Sequence, residues 1–265
     1  MTIITSRQHP FVRRCRDIVR GRGDGDILLD GEHLVDEALS AGVTVHLAAI
    51  SRRALSRPSA LQLRTRLEDA GTPCLDVSDG VLDAASPVQT PSGTLAIAAR
   101  PTWPLAKALA GPNALVVAIA GVQDPGNVGA IVRAADAAAA TGVVAVGPTA
   151  DPFGWKALRG AMGSAFRLPV AVETDWSVVR DQARSLGLRL VGLVPRDGVS
   201  LYDADLEHPA LVVAGAEGSG LAAGVASDLE VCITISMRSA VESLNVAVAV
   251  GITLFEAGRQ RRGRT

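Results

Sequence analysis

Short apolar runs alternate with amphipathic stretches along the chain, the rhythm of a layered α/β protein. Up to residue 100 the pattern predicts strands at 27–29, 45–50, 74–77 and 95–98. Helices are predicted over 32–39 and over 59–70, the second stopped by Gly71. Pro101, Pro104, Gly111 and Pro112 then interrupt the rhythm, marking a linker over 101–112 with a short helix at 105–109. From residue 113 the alternation restarts with stronger signals. The continuous apolar run at 114–120 reads as a strand buried on both faces. It leads through Gln123-Asp124-Pro125-Gly126 into a helix over about 128–140. Further strands follow at 143–146, 168–172, 189–194, 211–214 and 231–235, and further helices at 156–162, 176–186 and 243–257. The expectation is a small α/β domain over 1–100 and a larger one over 113–265. In the larger domain a mostly parallel sheet carries helices on both faces, with ligand loops at the strand C-termini.

Composition changes this picture little. Of 265 residues 48% are hydrophobic, but only three Trp, one Tyr and four Phe are present, so Ala, Val and Leu must fill the core. The formal net charge of −1 excludes a polycation. Arginine is nevertheless clustered: Arg7, Arg13, Arg14, Arg16, Arg20 and Arg22 are accompanied by a single acid, Asp17, and Arg259, Arg261, Arg262 and Arg264 end the chain. Each cluster offers phosphate contacts, against the simpler reading of a solvated helix face and a loose tail. Cys15, Cys74 and Cys232 are far apart and odd in number, which argues for a reducing compartment. With no apolar leader and no uninterrupted apolar span, a soluble, cytoplasmic protein without membrane contact is expected. His9, His33, His46 and His208 lie outside every candidate segment, and no metal-ligand spacing occurs.

Four segments carry candidate chemistry. Asn127-Val128-Gly129-Ala130-Ile131-Val132-Arg133 opens the helix after the buried strand. Asn127 is placed to cap that helix, Gly129 admits another backbone, and Arg133 is the side chain long enough to reach a phosphate. Both Asn127 and Arg133 are expected to face the strand-end crevice. Gly121, Gly126 and Gly129 do not form G-x-G-x-x-G, and no Gly-Lys-Ser/Thr occurs, so dinucleotide and triphosphate sites fall away. In the second segment Gly160, Ala161, Gly163 and Ser164 imply close contact with another backbone or a ligand, ringed by Lys156, Arg159 and Arg167. The third, Gly215-Ala216-Glu217-Gly218-Ser219-Gly220, is a glycine-rich turn at a strand end. Its Glu217 disfavours a bare phosphate. The fourth runs from Ile233 through Ile235 and Met237 to Ser243-Leu244-Asn245-Val246. It puts polar residues between two apolar elements, where buried polar groups need partners. Ser243 is the expected cap of the last helix, with Asn245 in its first turn.

In this order the segments resemble the SpoU (TrmH-type) RNA ribose methyltransferases of the SPOUT superfamily. The motifs are Asn127-x-Gly129-x-x-x-Arg133, then Lys156 to Arg159 with Met162 to Val170. They end with Gly215-x-Glu217-Gly218, Ile235-x-Met237 and Ser243-Leu244-Asn245-Val246. Gly160-Ala161 departs from the family, where Ser is frequent. A weaker match, in Ser6-Arg7-Gln8-His9-Pro10 and Asp30 to Ala38, links the first hundred residues to the L30e-like substrate-binding domain of many members. The resemblance implies a C-terminal trefoil knot, a homodimer, and S-adenosylmethionine held around Gly215, Ile235 and Leu244. It implies RNA rather than DNA as substrate, ribosomal (23S) RNA ahead of tRNA, methylated on a ribose 2′-hydroxyl. Arg133 would activate or orient that hydroxyl, and Asn127, Glu217, Ser243 and Asn245 would shape the catalytic site. A non-catalytic RNA-binding assembly factor of the same fold is the competing expectation.

Overall fold

The computed structural model describes residues 3–262; Met1, Thr2 and residues 263–265, which include Arg264 of the C-terminal basic cluster, lie outside the described residues. The chain begins with α1 (Pro10–Val19), β1 (Asp26–Asp30), α2 (Glu32–Ser40), β2 (Val45–Ser51), α3 (Pro58–Asp69), β3 (Cys74–Val77), α4 (Asp79–Ala85) and β4 (Thr94–Ala99). It continues with α5 (Leu105–Ala108), β5 (Leu115–Ala120), α6 (Pro125–Ala137), β6 (Gly142–Val146), α7 (Trp155–Ala161), α8 (Ser164–Arg167) and β7 (Val170–Glu173). The last elements are α9 (Trp176–Ser185), β8 (Arg189–Leu193), β9 (Val199–Ser200), β10 (Ala210–Gly215), α10 (Ala223–Ala226), β11 (Val231–Thr234) and α11 (Val246–Arg262). Among the described residues no helix is long and apolar enough to cross a membrane.

One compact unit comprises Met1–Pro101 and Phe153–Phe166. Its sheet has the order β1-β4-β2-β3, with β4 antiparallel to both neighbours and β3 parallel to β2. Phe11, Val12 and Cys15 recur on one face of α1 and pack into a core with Leu28, Leu82, Leu95 and Ile97. Burial pushes the Cys15 thiol up to about 12, so it behaves as a small apolar side chain. Part of the N-terminal arginine cluster is structural. Arg14 pairs with Asp26 at 2.7 Å, and Arg16 Nε donates to the Ala84 carbonyl at 2.9 Å.

Residues 156–166 of the second motif belong to this unit, and at Gly163 the need for space has a different reason from the one expected. A Cβ on Gly163, whose φ is +90°, would stand 2.5 Å from Glu37 Oε2 and 2.8 Å from Glu37 Cβ. At Gly163, therefore, the close neighbour is a side chain of α2 rather than a backbone or a ligand. Nearby, buried Asp30 accepts a hydrogen bond from Ser86 Oγ at 2.5 Å. Burial raises the Asp30 carboxyl above its ordinary range, opposed by Ser86 and by the charge of Arg159.

The other unit comprises Thr102–Pro152 and Arg167–Thr265. Its sheet has the order β7-β6-β5-β10-β8-β11-β9, and every pairing in it is parallel. Val116, Ala118, Val144, Leu211 and Val213 pack on one face with Leu109, Val179, Ala183 and Val225 from α5 and its end, α9 and α10. Alternation sends Leu115, Val117 and Ile119 to the other face, where α6 and α11 lie. Burying each such side chain contributes roughly 1.5–3 kcal/mol. Gly251 of α11 faces Ala134 of α6, with 3.8 Å between an added Cβ and the alanine Cβ. The short β9 and α10 have too little periodicity to be read from the chain.

The closing helix departs from its predicted bounds at both ends: it starts at Val246, not 243, and continues past 257 to Arg262. Its last turns are held by side chains. Arg259 forms a two-pronged ion pair with Glu256 at 2.7 and 2.8 Å, and Gln260 Nε2 donates to the Ala204 carbonyl at 3.0 Å. Arg261 donates to the carbonyls of Leu206 (2.9 Å), Asn113 (2.6 Å), Ala114 (3.4 Å) and His208 (2.6 Å). Arg261 thus ties the helix to the N-terminal ends of β5 and β10 and is not a free phosphate ligand.

Candidate cofactor pocket and catalytic cluster

Parallel pairing of β5 with β10 sets Ala120 opposite Gly215, so the two following loops begin at one level. In an open α/β sheet this crevice, beyond the strand C-termini, is where ligands bind. Asp124 caps α6: its carboxylate accepts from the Gly126 N–H at 2.7 Å, and Pro125 fills the first helical position. The cap is therefore not Asn127, as expected, and the Asn127 side chain is released for longer contacts. Its Nδ2 donates to Glu217 Oε1 at 2.6 Å. Its Oδ1 accepts from Asn245 Nδ2 at 2.9 Å, and the same Asn245 nitrogen lies 3.3 Å from Glu217 Oε1.

Asn245, not Ser243, caps α11. Its Oδ1 accepts from the N–H groups of Ala247 (3.0 Å) and Val248 (3.2 Å). An asparagine serves better than a serine here because its oxygen can satisfy the helix start while its nitrogen holds the neighbouring loops. The polar run is also not buried: Ser243 and Asn245 are exposed and Leu244 is half-buried. These positions are polar because they border an open pocket.

The glycine-rich turn folds on itself. Ala216 and Gly220 exchange backbone hydrogen bonds of 3.0 and 2.9 Å. A Cβ on Gly215 would lie 2.4 Å from Gly220 C and 2.6 Å from Leu221 N, so no other residue fits beneath the turn.

A pocket of about 650 Å³ opens between this turn, the end of β8 and the segment from β11 to α11. All three residues expected to hold a cofactor, Gly215, Ile235 and Leu244, line it, together with Glu217, Ser243 and Asn245. Leu193, Val194 and Pro195 also line it, and the sequence reading did not find them. Their only local signal is an apolar strand ending in proline; that β8 lies beside β10 is a matter of strand order.

The pocket suits a nucleoside with a positive centre. Its volume lies in the range of small-ligand sites, roughly 300–1,000 Å³. Val194, Leu221, Ile233, Ile235, Met237 and Leu244 supply apolar walls for a ring. The amides of Ile235, Met237 and Leu244 donate to no acceptor among the described residues and so are available to a ligand. Glu217 and Glu242 are the ionisable side chains lining the pocket. That charge attracts a cation and opposes a phosphate. S-adenosylmethionine has this character. Among the described residues no group of His, Cys, Asp and Glu could hold a metal.

Arg133 does not join the cluster. It is exposed on α6, does not line the pocket, and has no hydrogen-bond or ion-pair partner among the described residues. Residues six apart on a helix lie about 120° apart around its axis, so Asn127 and Arg133 cannot share one direction. Arg167 of the second motif pairs with Asp136 at 3.0 Å.

Residues 114–255 match the model of the SpoU rRNA methylase family. An uncharacterized tRNA/rRNA methyltransferase of Synechocystis is 32% identical over 97% of this chain and 94% of its own length. The 23S rRNA (guanosine(2553)-2′-O)-methyltransferase RlmP of Bacillus subtilis is 32% identical over 86% of both chains. In structure, the AdoMet-bound rRNA methyltransferase from Sinorhizobium meliloti superposes with a TM-score of 0.85 at 29% identity, covering 97% of each chain. With the family model covering more than half of the chain and relatives aligned along nearly all of it, this protein belongs to the SpoU rRNA methylase family of RNA methyltransferases.

Proposed function

We propose that the protein transfers a methyl group from S-adenosylmethionine to a ribose 2′-hydroxyl of 23S ribosomal RNA. The observation that carries this reading is the convergence of Gly215, Ile235 and Leu244 on one pocket, with Glu217 tied at its edge to Asn127 and Asn245. The apolar walls and the amides of Ile235, Met237 and Leu244 would hold the adenosine portion. When bound, the cofactor supplies an electrophilic methyl on a sulfonium. The chain's own residues have to align the hydroxyl and dispose of its proton. Arg133, exposed and unpaired among the described residues, takes an RNA phosphate and so positions the target ribose. Ser243 and Asn245 shape the pocket edge at the helix start.

The first compact unit serves as the L30e-like substrate-binding part. The trefoil knot belongs to the same reading, supported by the return of the chain to Asn245, which bonds to Asn127 in the first turn of α6 and to Glu217 in the turn after β10. A homodimer is supported by α11, where Val248, Ile252 and Phe255 form an exposed apolar stripe at helical spacing. Phe255→Glu should then shift the species seen by sedimentation from dimer to monomer. A cytoplasmic location follows from the RNA substrate. A non-catalytic assembly factor would have no need of the braced Glu217.

The test is methyl transfer from labelled S-adenosylmethionine to unmodified 23S rRNA, followed by mapping of the modified nucleotide. Transfer to tRNA alone would move the assignment to tRNA, the other substrate in the Synechocystis relative's name. Absence of cofactor binding by calorimetry would remove the enzyme reading altogether.

A further inference from the structure

We infer that the outward face of α1, with the turn that follows it, is the surface on which the first compact unit anchors RNA, through phosphates taken by Arg13, Arg20 and Arg22. The inference deepens the reading above, because it rests on RNA being the substrate. It concerns the RNA backbone and not the reacting atoms.

Helical periodicity divides α1 into two faces. Phe11, Val12 and Cys15 are buried in the core of the unit. Arg13 and Arg20 stand two helical turns apart, so they point in nearly one direction, away from that apolar stripe. About 10.5 Å of helix axis separates them. Arg22 extends the line past the helix end. Its N–H donates to the Asp17 carbonyl at 2.8 Å, and the turn closes with the Asp26 N–H on the Gly23 carbonyl at 2.8 Å. Asp24 in this turn has a φ of +44°, a conformation that side chains seldom adopt. Between helix and turn lies an open groove of about 480 Å³, lined by Arg13 and Arg22 with Ile18 in its wall.

The arginines here fall into two sets. Arg14 and Arg16 are spent inside the unit, on Asp26 and on the Ala84 carbonyl. Arg13, Arg20 and Arg22 are exposed, and their side chains have no partner among the described residues. With Asp26 taken by Arg14, the acids left along the groove are Asp17 and Asp24. The helix dipole accounts for cations at the C-terminal end, but not for Arg13 in the first turn, where it opposes a cation. The other basic cluster of the chain is already engaged, Arg259 by Glu256 and Arg261 by backbone carbonyls.

Two kinds of anionic partner suit a basic helix face. A membrane surface needs apolar side chains to insert beside the cations, and those of α1 are turned into the core. RNA phosphates need only exposed donors, and a guanidinium offers a phosphate two parallel hydrogen bonds. Such contacts fix the position of the RNA without reading its sequence.

The test combines Arg13→Gln, Arg20→Gln and Arg22→Gln in the full chain. Binding to a 23S rRNA transcript, measured without cofactor over a range of salt concentrations, should weaken about tenfold or more at low salt. The slope of log affinity against log salt should become shallower by about 2–3, close to one for each arginine. An unrelated rRNA fragment should show the same loss. Each single substitution should give about a third of the change in slope, so the measurement does not depend on the triple variant folding. The corresponding triple lysine variant should keep the wild-type slope. Calorimetry should find the affinity for S-adenosylmethionine within about twofold of wild type, and single-turnover transfer at saturating RNA should stay within about threefold. Lys107→Gln, which neutralises an exposed cation of the other unit, should leave the slope unchanged. The inference is overturned if the triple glutamine variant keeps the wild-type slope and affinity, or if Lys107→Gln changes the slope as much as one of the three arginines. It is also overturned if the lysine variant loses as much as the glutamine one, or if the glutamine variant loses binding to phosphatidylserine vesicles but not to RNA. Methyl transfer by the wild type with an unaltered slope in the variant removes this surface alone. RNA binding through these arginines with no transfer to rRNA or tRNA removes the methyltransferase reading and leaves the surface standing.

Discussion

The two ends of α11 use similar polar chemistry for opposite purposes. At its N-terminus Asn245, Asn127 and Glu217 bond to one another around an open pocket, and Asn245 and Glu217 are exposed. At its C-terminus Glu256 is buried and Gln260 and Arg261 are partly so; Glu256 accepts from Arg259 and Gln260, Gln260 also bonds to the backbone of Ala204 and Leu206, and Arg261 donates to backbone carbonyls. The N-terminal cluster leaves Glu217 Oε2 and three pocket amides unspent. The C-terminal cluster spends its donors on the starts of β5 and β10. A helix lying antiparallel to the strands makes this possible. One end reaches the ligand side of a parallel sheet, beyond the strand C-termini, and the other reaches the starts of β5 and β10. Unsatisfied groups mark the working end; satisfied ones mark the anchor.

Substitutions at the two ends should separate activity from stability. The largest effect is expected for Arg133→Ala, beside the working end: methyl transfer should fall by about 10³-fold while calorimetry shows unchanged cofactor binding. Equal loss of both would make Arg133 structural. Leu244→Arg puts a cation into the apolar wall. It should weaken S-adenosylmethionine binding by about 10²-fold, with little change in melting temperature. Retained affinity would contradict the assigned pocket.

At the anchor the pattern should reverse. Arg261→Ala strands several carbonyls and should cost about 2–3 kcal/mol in denaturant unfolding, leaving the cofactor dissociation constant of the folded protein unchanged. Asn245→Ala sits between the two classes. It removes a helix cap, costing about 1 kcal/mol, and also slackens Glu217, so both stability and transfer rate should drop. A stability loss without a rate loss would reduce Asn245 to a cap. The smallest effect concerns pH. Arg259 beside Glu256 holds that carboxyl below its ordinary range. A lowered folded-state pKa gives stability that is present above the unfolded value and lost as pH falls through the folded one. Glu256→Gln should therefore lose less stability than wild type on acidification, as read from denaturant midpoints at neutral and acidic pH.

Much of the second unit was legible because its strands are apolar runs of strand length punctuated by Gly and Pro. The predicted strand at 114–120 contains Leu115–Ala120, and those at 143–146 and 211–214 lie within Gly142–Val146 and Ala210–Gly215. The capping assignments were not legible. Asp124 and Asn127 both have capping side chains, as do Ser243 and Asn245, and local sequence does not rank the members of either pair. What decides is which side chain has a distant partner. Asn127 is drawn to Glu217, so Asp124 caps; Asn245 faces Asn127, and the helix starts there. The small residues of the second motif show the same limit. Their need for space was readable, but the neighbour at Gly163, Glu37, lies far away in the chain.

The α/β alternation was readable in the chain alone because it depends on local composition and spacing; the order of motifs carries the resemblance to the family, and that resemblance implied the three residues, Gly215, Ile235 and Leu244, that line the pocket. Only the tertiary structure decided that β10 lies between β5 and β8. That insertion joins Asn127 to Glu217 across 90 residues and to Asn245 across 118. Strand order in a parallel sheet comes from long-range pairing and from packing on both faces, to which hydrophobic periodicity is blind. For the same reason the sequence could nominate Glu217 and Arg133 together, while the fold alone placed the carboxylate at the pocket and the arginine outside it.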